Sequence, residues 1–126
     1  MIEKKHTLKQ QKGNLAEKKA QLFLEKQGLV LADKNFRKLT GEIDLIMTEK
    51  NHLIFIEVRS RKKSTFGTAV DSISHQKKQK IIRTAELFLM QNKVWQTYPC
   101  RFDVVTFDQS DESAEKIEWI KNAFFL

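Results

Sequence analysis

Residues 41–63, GEIDLIMTEKNHLIFIEVRSRKK, contain the strongest β-strand pattern of the chain. Two apolar runs, residues 43–48 and 53–60, lie on either side of the polar residues 49–51. Apolar and β-branched runs that are separated by polar turn residues predict two β-strands joined by a tight turn. The stretch therefore predicts a pair of strands around which the rest of the chain is organised.

Charged residues interrupt both apolar runs. Because successive side chains of a strand point to opposite faces, we expect Glu42 and Asp44 to share one face of the first strand. On the second strand we expect Glu57, Arg59 and Arg61 to share one face. The apolar residues are expected on the opposite faces, Ile43 with Leu45 on the first strand and Ile56 with Val58 on the second. Buried charges are costly unless they are paired or bind a metal. The pattern therefore predicts that Asp44, Glu57 and Arg59 converge on a site.

Two converging carboxylates beside a cation suit the hydrolysis of phosphodiesters. Asp44 and Glu57 would offer hard oxygen ligands to Mg²⁺ or Mn²⁺, with Glu42 as a further ligand or a supporting group. A bound metal activates water and neutralises phosphate charge, and Arg59 would stabilise the transition state or orient the nucleophile. The alternative is a structural ion-pair cluster at a sheet edge, because the pattern D…E-x-[KR] is short and arises often by chance.

The N-terminal region predicts a helix after a polar segment. Residues 1–12 are lysine-rich and are expected to form a flexible basic tail, and residues 13–126 a single domain. Apolar residues recur at helical spacing over residues 14–27, and Gly28 is expected to end this helix. Asn14 and Glu17 have the spacing of a capping box, so Glu17 has a structural explanation beside a functional one.

A second helix is expected to be basic on its exposed face. Ser74 is a plausible N-cap for a helix that runs to about Asn92. Basic residues cluster in its first turns and at the end of the preceding strand; those assigned to nucleic-acid binding are Arg61, Lys62, Lys63, Lys77, Lys80 and Arg83. A lysine run is usually a solvated helix face, but with a net charge of +7 and a pI of about 9.6 it favours phosphate contacts.

The remaining sequence adds two strands and sets the cellular context. Residues 101–107 and 116–121 alternate as strands do, and Asp103 is expected either to be exposed or to support a site. One cysteine, Cys100, excludes an internal disulfide and fits a reducing cytoplasm. Since no signal peptide and no apolar run of membrane-spanning length is seen, we expect a cytoplasmic protein without a membrane partner.

These motifs together resemble the bacterial YraN family, most of which is uncharacterised. The resemblance extends over nearly the whole chain after the tail, and its most specific parts are GEIDLI and the E-V-[KR]-x-R strand. The motifs, in order, are G-x-x-x-E at 13–17, N-x-R at 35–37, GEIDLI at 41–46, FIEVRSR at 55–61, FG at 66–67, the basic helix with Lys77, RFDVV at 101–105 and NAF at 122–124.

The family in turn resembles the restriction-endonuclease-like superfamily, including the archaeal Holliday-junction resolvases. This resemblance implies an α/β fold with a central mixed β-sheet flanked by helices. It also implies a catalytic set in which Asp44 and Glu57 are the two motif acids and Glu17 is the glutamate of the first helix. Arg59 stands where a lysine is expected; arginine stays charged and is a poor group for activating water by proton transfer.

Three functions remain compatible with the sequence. We expect a nucleic-acid-binding protein of nuclease fold that acts as a Mg²⁺- or Mn²⁺-dependent endonuclease on DNA. Branched DNA as substrate and a homodimeric state are implied by the resolvase resemblance alone. The alternative is a catalytically inactive nucleic-acid-binding module, with Arg59 in place of the catalytic lysine. A third possibility, an interaction domain whose basic face meets acidic protein or lipid, has no specific sequence feature in its favour.

Overall fold

The computed structural model describes residues 8–62, 73–109 and 116–124, and side chains within residues 14–60, 73–107 and 116–124. These residues form an α/β fold. In chain order the elements are α1 (Leu8–Lys26), β1 (Val30–Lys38), β2 (Gly41–Glu49), β3 (His52–Lys62), α2 (His75–Gln91), a short 3₁₀ turn (Lys93–Trp95), β4 (Cys100–Gln109) and β5 (Lys116–Phe124).

The strands form one five-stranded mixed sheet in the order β1-β2-β3-β4-β5. Strands β1, β2 and β3 form an antiparallel meander, and β5 is antiparallel to β4. β3 and β4 are parallel, so the chain between them must cross over, and α2 lies in that crossover. The predicted strand pair in residues 41–63 is thus confirmed, and the arrangement is consistent with the expected restriction-endonuclease-like fold.

The two helices cover opposite faces of the sheet. Leu53 and Phe55 of β3 belong to the apolar cluster of α2, while Ile54 and Ile56 belong to the cluster of α1. This alternation follows from the two-residue period of a strand. The central strand is consequently buried on both sides, which explains its nearly continuous apolar sequence.

The first helix is longer than the sequence pattern predicts. It begins at Leu8, so residues 8–12 of the expected tail are helical, and Asn14 lies inside the helix. The capping box of Asn14 and Glu17 was therefore a wrong prediction. The other end is as expected: Gly28 has φ +100°, and Leu29 N–H donates to the carbonyl of Leu24, closing a Schellman motif.

The start of α2 is fixed against β2. Ser74 is its N-cap, as predicted, and its hydroxyl accepts a hydrogen bond from Lys77 N–H at 3.1 Å. About two turns after Lys77, the hydroxyl of Thr84 lies 2.7 Å from the hydroxyl of Thr40. Gly41 has φ +149°, and a Cβ there would lie 3.4 Å from the Cβ of Lys80. Glycine therefore allows the basic end of α2 to approach the beginning of β2.

Asp103 is a structural residue of the sheet rather than an exposed one. It is fully buried and accepts hydrogen bonds from Arg101 Nε at 3.1 Å, Trp119 Nε1 at 2.9 Å and Asn122 N–H at 3.0 Å. Arg101 also reaches Glu49 Oε1 at 3.2 Å, which links β4 to the β2–β3 turn. These bonds compensate the cost of burying the charge.

Helices of membrane-spanning length and apolarity are not found in the described residues.

Candidate metal centre

The candidate site lies where β2 and β3 separate. Their pairing runs from Glu49 with His52 to Leu45 with Ile56, and within the described residues it does not continue to Asp44. There the backbone N–H of Val58 donates to Asp44 Oδ2 at 2.8 Å. A carboxylate thus takes the N–H of β3 that would otherwise face a strand partner.

This separation also shifts the alternation of side chains along β2. Ile43 packs in the cluster of α2, whereas Leu45 packs in the cluster of α1, so the prediction that they share a face was wrong. The shift falls at Asp44, opposite Asn35 of β1, which has φ +53°. On β3 the prediction is confirmed, because Ile56 and Val58 both face α1.

Three carboxylates meet at this point from two elements. Glu17 of α1 and Glu42 and Asp44 of β2 each offer an oxygen, and the three oxygens lie within 4.8 Å of one another. With its amide oriented to satisfy the acids, Asn35 donates to Glu17 Oε2 at 2.7 Å and to Glu42 Oε1 at 3.2 Å. Arg37 Nε lies 3.3 Å from Glu42 Oε2. The N-x-R segment of β1 therefore organises the acids.

Crowding of these acids changes their acidity. Burial, with the negative charge of Glu57 as a second cause, raises the pKa of Asp44 to about 8. Burial and the charge of Glu42 raise the pKa of Glu17, although a hydrogen bond with Asp44 opposes the rise. A raised pKa means that the ionised carboxylate is destabilised, and a cation that replaces the proton would stabilise it. The electrostatics of the cluster therefore favour a bound cation.

Glu57 is paired with a lysine from the second helix. Its side chain is 6% exposed, and its Oε1 lies 3.0 Å from the ammonium of Lys77. Burial raises the pKa of Glu57, while Lys77, and less strongly Arg59, oppose that rise. The lysine expected two residues after the second acid is thus absent from β3, but α2 delivers an ammonium to that acid.

The donor set fits a hard divalent cation. Mg²⁺ and Mn²⁺ prefer carboxylate oxygens, and the group of Glu17, Glu42 and Asp44 supplies three of them. Glu57 lies outside this group but close enough to Asp44 to raise its pKa. The ligand pair predicted from sequence was Asp44 with Glu57, with Glu42 as a further ligand or a supporting group. The structure groups Glu42 and Asp44 with Glu17, and the role of Glu57 as a ligand stays a prediction.

A basic surface adjoins the acids on the side of α2. A cleft of about 270 Å³ is lined by Glu42 together with Lys77 and Lys80. A second cleft of about 410 Å³ continues along the helix past Lys80 to Arg83. Of the other residues assigned to nucleic-acid binding, Arg61 and Lys62 are described by backbone alone and Lys63 lies outside the described residues, as does the FG motif.

Sequence reasoning missed the roles of three residues. Asn35 and Arg37 appeared only as elements of a motif, and nothing in a β-strand pattern predicts that they touch Glu42. Lys77 was assigned to phosphate contacts, while its observed partner is Glu57. The N-x-R motif, read beside the acids that follow it, is the signal that could have identified the first two.

Fold and site define an α/β protein with a half-buried acidic centre beside a basic helix. Residues 16–107 match the sequence profile of the uncharacterised protein family UPF0102. The chain is 46% identical over 114 residues to the UPF0102 protein of Pseudomonas aeruginosa LESB58, covering 90% of this chain and 91% of the relative. It is 44% identical over 115 residues to the UPF0102 protein of Legionella pneumophila Corby, covering 91% and 95%.

The chain belongs to the UPF0102 family, the same family as YraN, so the resemblance given by its motifs is confirmed.

Proposed function

We propose that this protein is a metal-dependent nuclease that hydrolyses phosphodiester bonds in DNA. The observation that carries the proposal is the close approach of the Glu17, Glu42 and Asp44 carboxylates, within 4.8 Å of one another, beside a helix that presents lysines. A pure phosphate-binding protein gains nothing from acids near its anion, because they repel it. A hydrolytic site needs both kinds of charge: acidic side chains to bind the cation, and positively charged side chains to bind the phosphate.

Glu17, Glu42 and Asp44 would hold Mg²⁺ or Mn²⁺, with Glu57 as a further candidate ligand. When bound, such an ion lowers the pKa of a water molecule and neutralises charge on the phosphate. The acids themselves orient the ion, and Asn35 and Arg37 hold the glutamates in place through the contacts described above. In this proposal, Glu17 is part of the metal centre rather than a helix cap.

The position of Lys77 supports catalysis even though Arg59 stands in place of the expected lysine. A lysine ammonium is a compact charge whose protonation responds to its surroundings, unlike the guanidinium of Arg59. Lys77 Nζ already lies 3.0 Å from Glu57 Oε1, so it is positioned at the acid where the superfamily pattern expects a lysine. Lys77 would stabilise the developing negative charge or orient the nucleophile, with Arg59 as a second cation close to Glu57.

The N-terminal turns of α2 support a phosphate contact. The partial positive charge of a helix N-terminus disfavours lysine there, yet the first turn of α2 contains no acid and its early turns hold Lys77 and Lys80. Local conflicts of this kind are typical of functional positions, and an incoming phosphate would relieve this one. DNA rather than RNA, a branched structure and a homodimer are further parts of the proposal that rest on the resolvase resemblance.

The test is cleavage of linear, single-stranded, flapped and four-way DNA by the purified protein with Mg²⁺ or Mn²⁺. Asp44→Asn is the inactive variant, and Glu25→Gln, an exposed acid on the same helix as Glu17, is the matched control. Wild type and control should cleave, Asp44→Asn should bind without cleaving, and EDTA should stop cleavage. Salt-dependent binding without cleavage by the wild type would instead identify an inactive binding module. A wild type that neither binds nor cleaves DNA would contradict the proposal.

A further inference from the structure

A third cleft lies between α1 and β1, on the other side of the acids from α2. It has a volume of about 310 Å³, and its lining includes Asn14, Lys18 and Gln21 of α1 and Lys34 and Asn35 of β1, together with Glu17. We refer to these residues as the α1–β1 cleft. None of them except Glu17 was assigned a binding role from the sequence.

The α1–β1 cleft contains a buried glutamine that has no hydrogen-bond partner among the residues the structure describes. Gln21 is 8% exposed, and in the described part of the chain its side chain makes no hydrogen bond. An unsatisfied buried amide destabilises a protein and is rare in native structures. Since Gln21 lines the cleft, a ligand in the cleft could supply the missing hydrogen bond.

The charges of the cleft favour an anion. The side chains of Lys18 and Lys34 are exposed at its rim, and neither forms an ion pair within the described residues. The cleft's described lining includes no aromatic side chain on which a base could stack. Lysines and an amide without a stacking platform suit the sugar–phosphate backbone, whose recognition is independent of base sequence.

The two basic surfaces meet at the carboxylates. Glu17 lines the α1–β1 cleft, Glu42 lines the cleft beside Lys77 and Lys80, and the carboxylates of Glu17 and Glu42 lie within 4.8 Å of each other. A strand whose phosphate sits at the acids could therefore extend into both clefts. Contacts on both sides of the bond to be cut are what an enzyme needs to cleave within a strand rather than at its end.

We propose that the α1–β1 cleft is a second backbone-binding site, which holds the nucleic-acid segment on the opposite side of the scissile phosphodiester from α2. Lys18 and Lys34 contact phosphates, and the Gln21 amide donates to a phosphate or sugar oxygen. This inference rests on the proposed function, and it makes the protein an endonuclease.

Binding of a fluorescein-labelled single strand, measured by anisotropy in EDTA at several salt concentrations, tests the lysines without interference from cleavage. The variant is Lys18→Ala with Lys34→Ala. The matched control is Lys26→Ala with Lys116→Ala, which removes the same charge from exposed lysines outside both clefts. Two lost phosphate contacts should reduce the slope of log K against log salt by about 1.4. An equal slope in variant and control would overturn the proposal.

Gln21→Leu tests the amide and separates binding from structure. Affinity should fall about tenfold, because a hydrogen bond to a charged oxygen is lost. The Tm should stay the same or rise, because a buried unpaired amide is removed. Unchanged affinity would show that the amide does not contact the ligand. A Tm lower by several degrees would show that the amide has a structural partner. Either result would contradict the proposal.

These results are distinguishable from failure of the proposed function. If the Lys18/Lys34 variant binds like its control while Lys77→Ala with Lys80→Ala binds weakly, the α1–β1 cleft is not a binding site and the nuclease proposal stands. If the wild type binds with the expected slopes but never cleaves, the second site stands and the nuclease proposal fails. If the wild type does not bind at all, both fail.

Discussion

The ammonium of Lys77 lies 3.0 Å from Oε1 of Glu57, so that a lysine of α2 neutralises a buried glutamate of β3. The two residues are separated by a segment of chain that includes residues 63–72, which the structure does not describe. No local pattern could have paired them. The relationship changes which cation is expected to serve the acidic centre, and it leads directly to the first prediction.

Lys77→Met should reduce cleavage about 100-fold or more, the cost typical of removing a preorganised charge from a transition state. Single-turnover cleavage with Mn²⁺ measures this. Lys78→Met, one residue along the helix, removes the same charge beside the site and is the control. If Arg59→Met abolishes cleavage while Lys77→Met retains it, Arg59 is the catalytic cation and the role given to Lys77 is wrong.

Addition of Mn²⁺ should raise the Tm of the wild type. A ligand at 100 times its Kd stabilises a protein by about 2.7 kcal/mol, which for a domain of this size is on the order of 10 °C. Differential scanning fluorimetry measures the shift. Glu17→Gln and Asp44→Asn should reduce it strongly, whereas Glu25→Gln should retain it. An equal shift in all four proteins would place the ion elsewhere.

Without metal, the free energy of unfolding should fall as the pH rises from about 4 to about 8. Asp44 has a pKa of about 8 in the folded protein, against an ordinary value of 3.8. Over this range the folded state holds a proton that the unfolded state has lost, so stability is greatest below the unfolded pKa and decreases until the folded pKa is passed. Urea unfolding at a series of pH values should show a shallower slope for Asp44→Asn than for wild type.

The affinity for Mn²⁺ should change in the opposite direction. An ion binds the ionised carboxylates, so at pH 7 its binding must release protons from the cluster, and the affinity should increase towards pH 8. Calorimetry in buffers of different ionisation enthalpy counts the released protons. Proton release close to zero at pH 7 would show that the acids are already ionised before the ion binds.

Asp103→Leu should destabilise the fold by about 3–5 kcal/mol, because Arg101 loses a buried partner and the Trp119 N–H loses its acceptor. Where enough protein stays folded, its Mn²⁺ affinity should match that of the wild type, since Asp103 is on β4, outside the acidic centre. Chemical denaturation and metal titration together check this. A loss of metal affinity in folded protein would mean that Asp103 supports the site.

Regular elements could be predicted from local signals, because each is specified by residues near in sequence. Ser74 and Gly28 mark helix ends, and alternation marks β3 and β4. The start of α1 could not be predicted, because residues 8–12 are polar or good helix formers and are compatible with either a helix or a flexible tail. Asn14 and Glu17 then match a capping box by spacing alone.

The sequence could predict which acidic residues form the site, but it could not predict the contacts that those residues make. Asp44 and Glu57 stand out because charges in apolar strands need a reason. The shift of alternation between Ile43 and Leu45 depends on a hydrogen bond from a neighbouring strand, and the position of Asn35 depends on a backbone angle of +53°. Such features arise from tertiary packing, which a pattern of period two does not contain.

The hydrogen bond from Val58 N–H to Asp44 Oδ2 has a practical consequence for genetics. Because the acid that would bind the ion also links β2 to β3 through this hydrogen bond, Asp44→Ala would remove a ligand and a structural contact in one step. Its phenotype would therefore be ambiguous. Asp44→Asn keeps an acceptor for Val58 while discarding the charge. Comparing a strain that carries the Asp44→Asn allele with a strain that lacks the gene would separate the catalytic role of the protein from any role that needs only the folded protein.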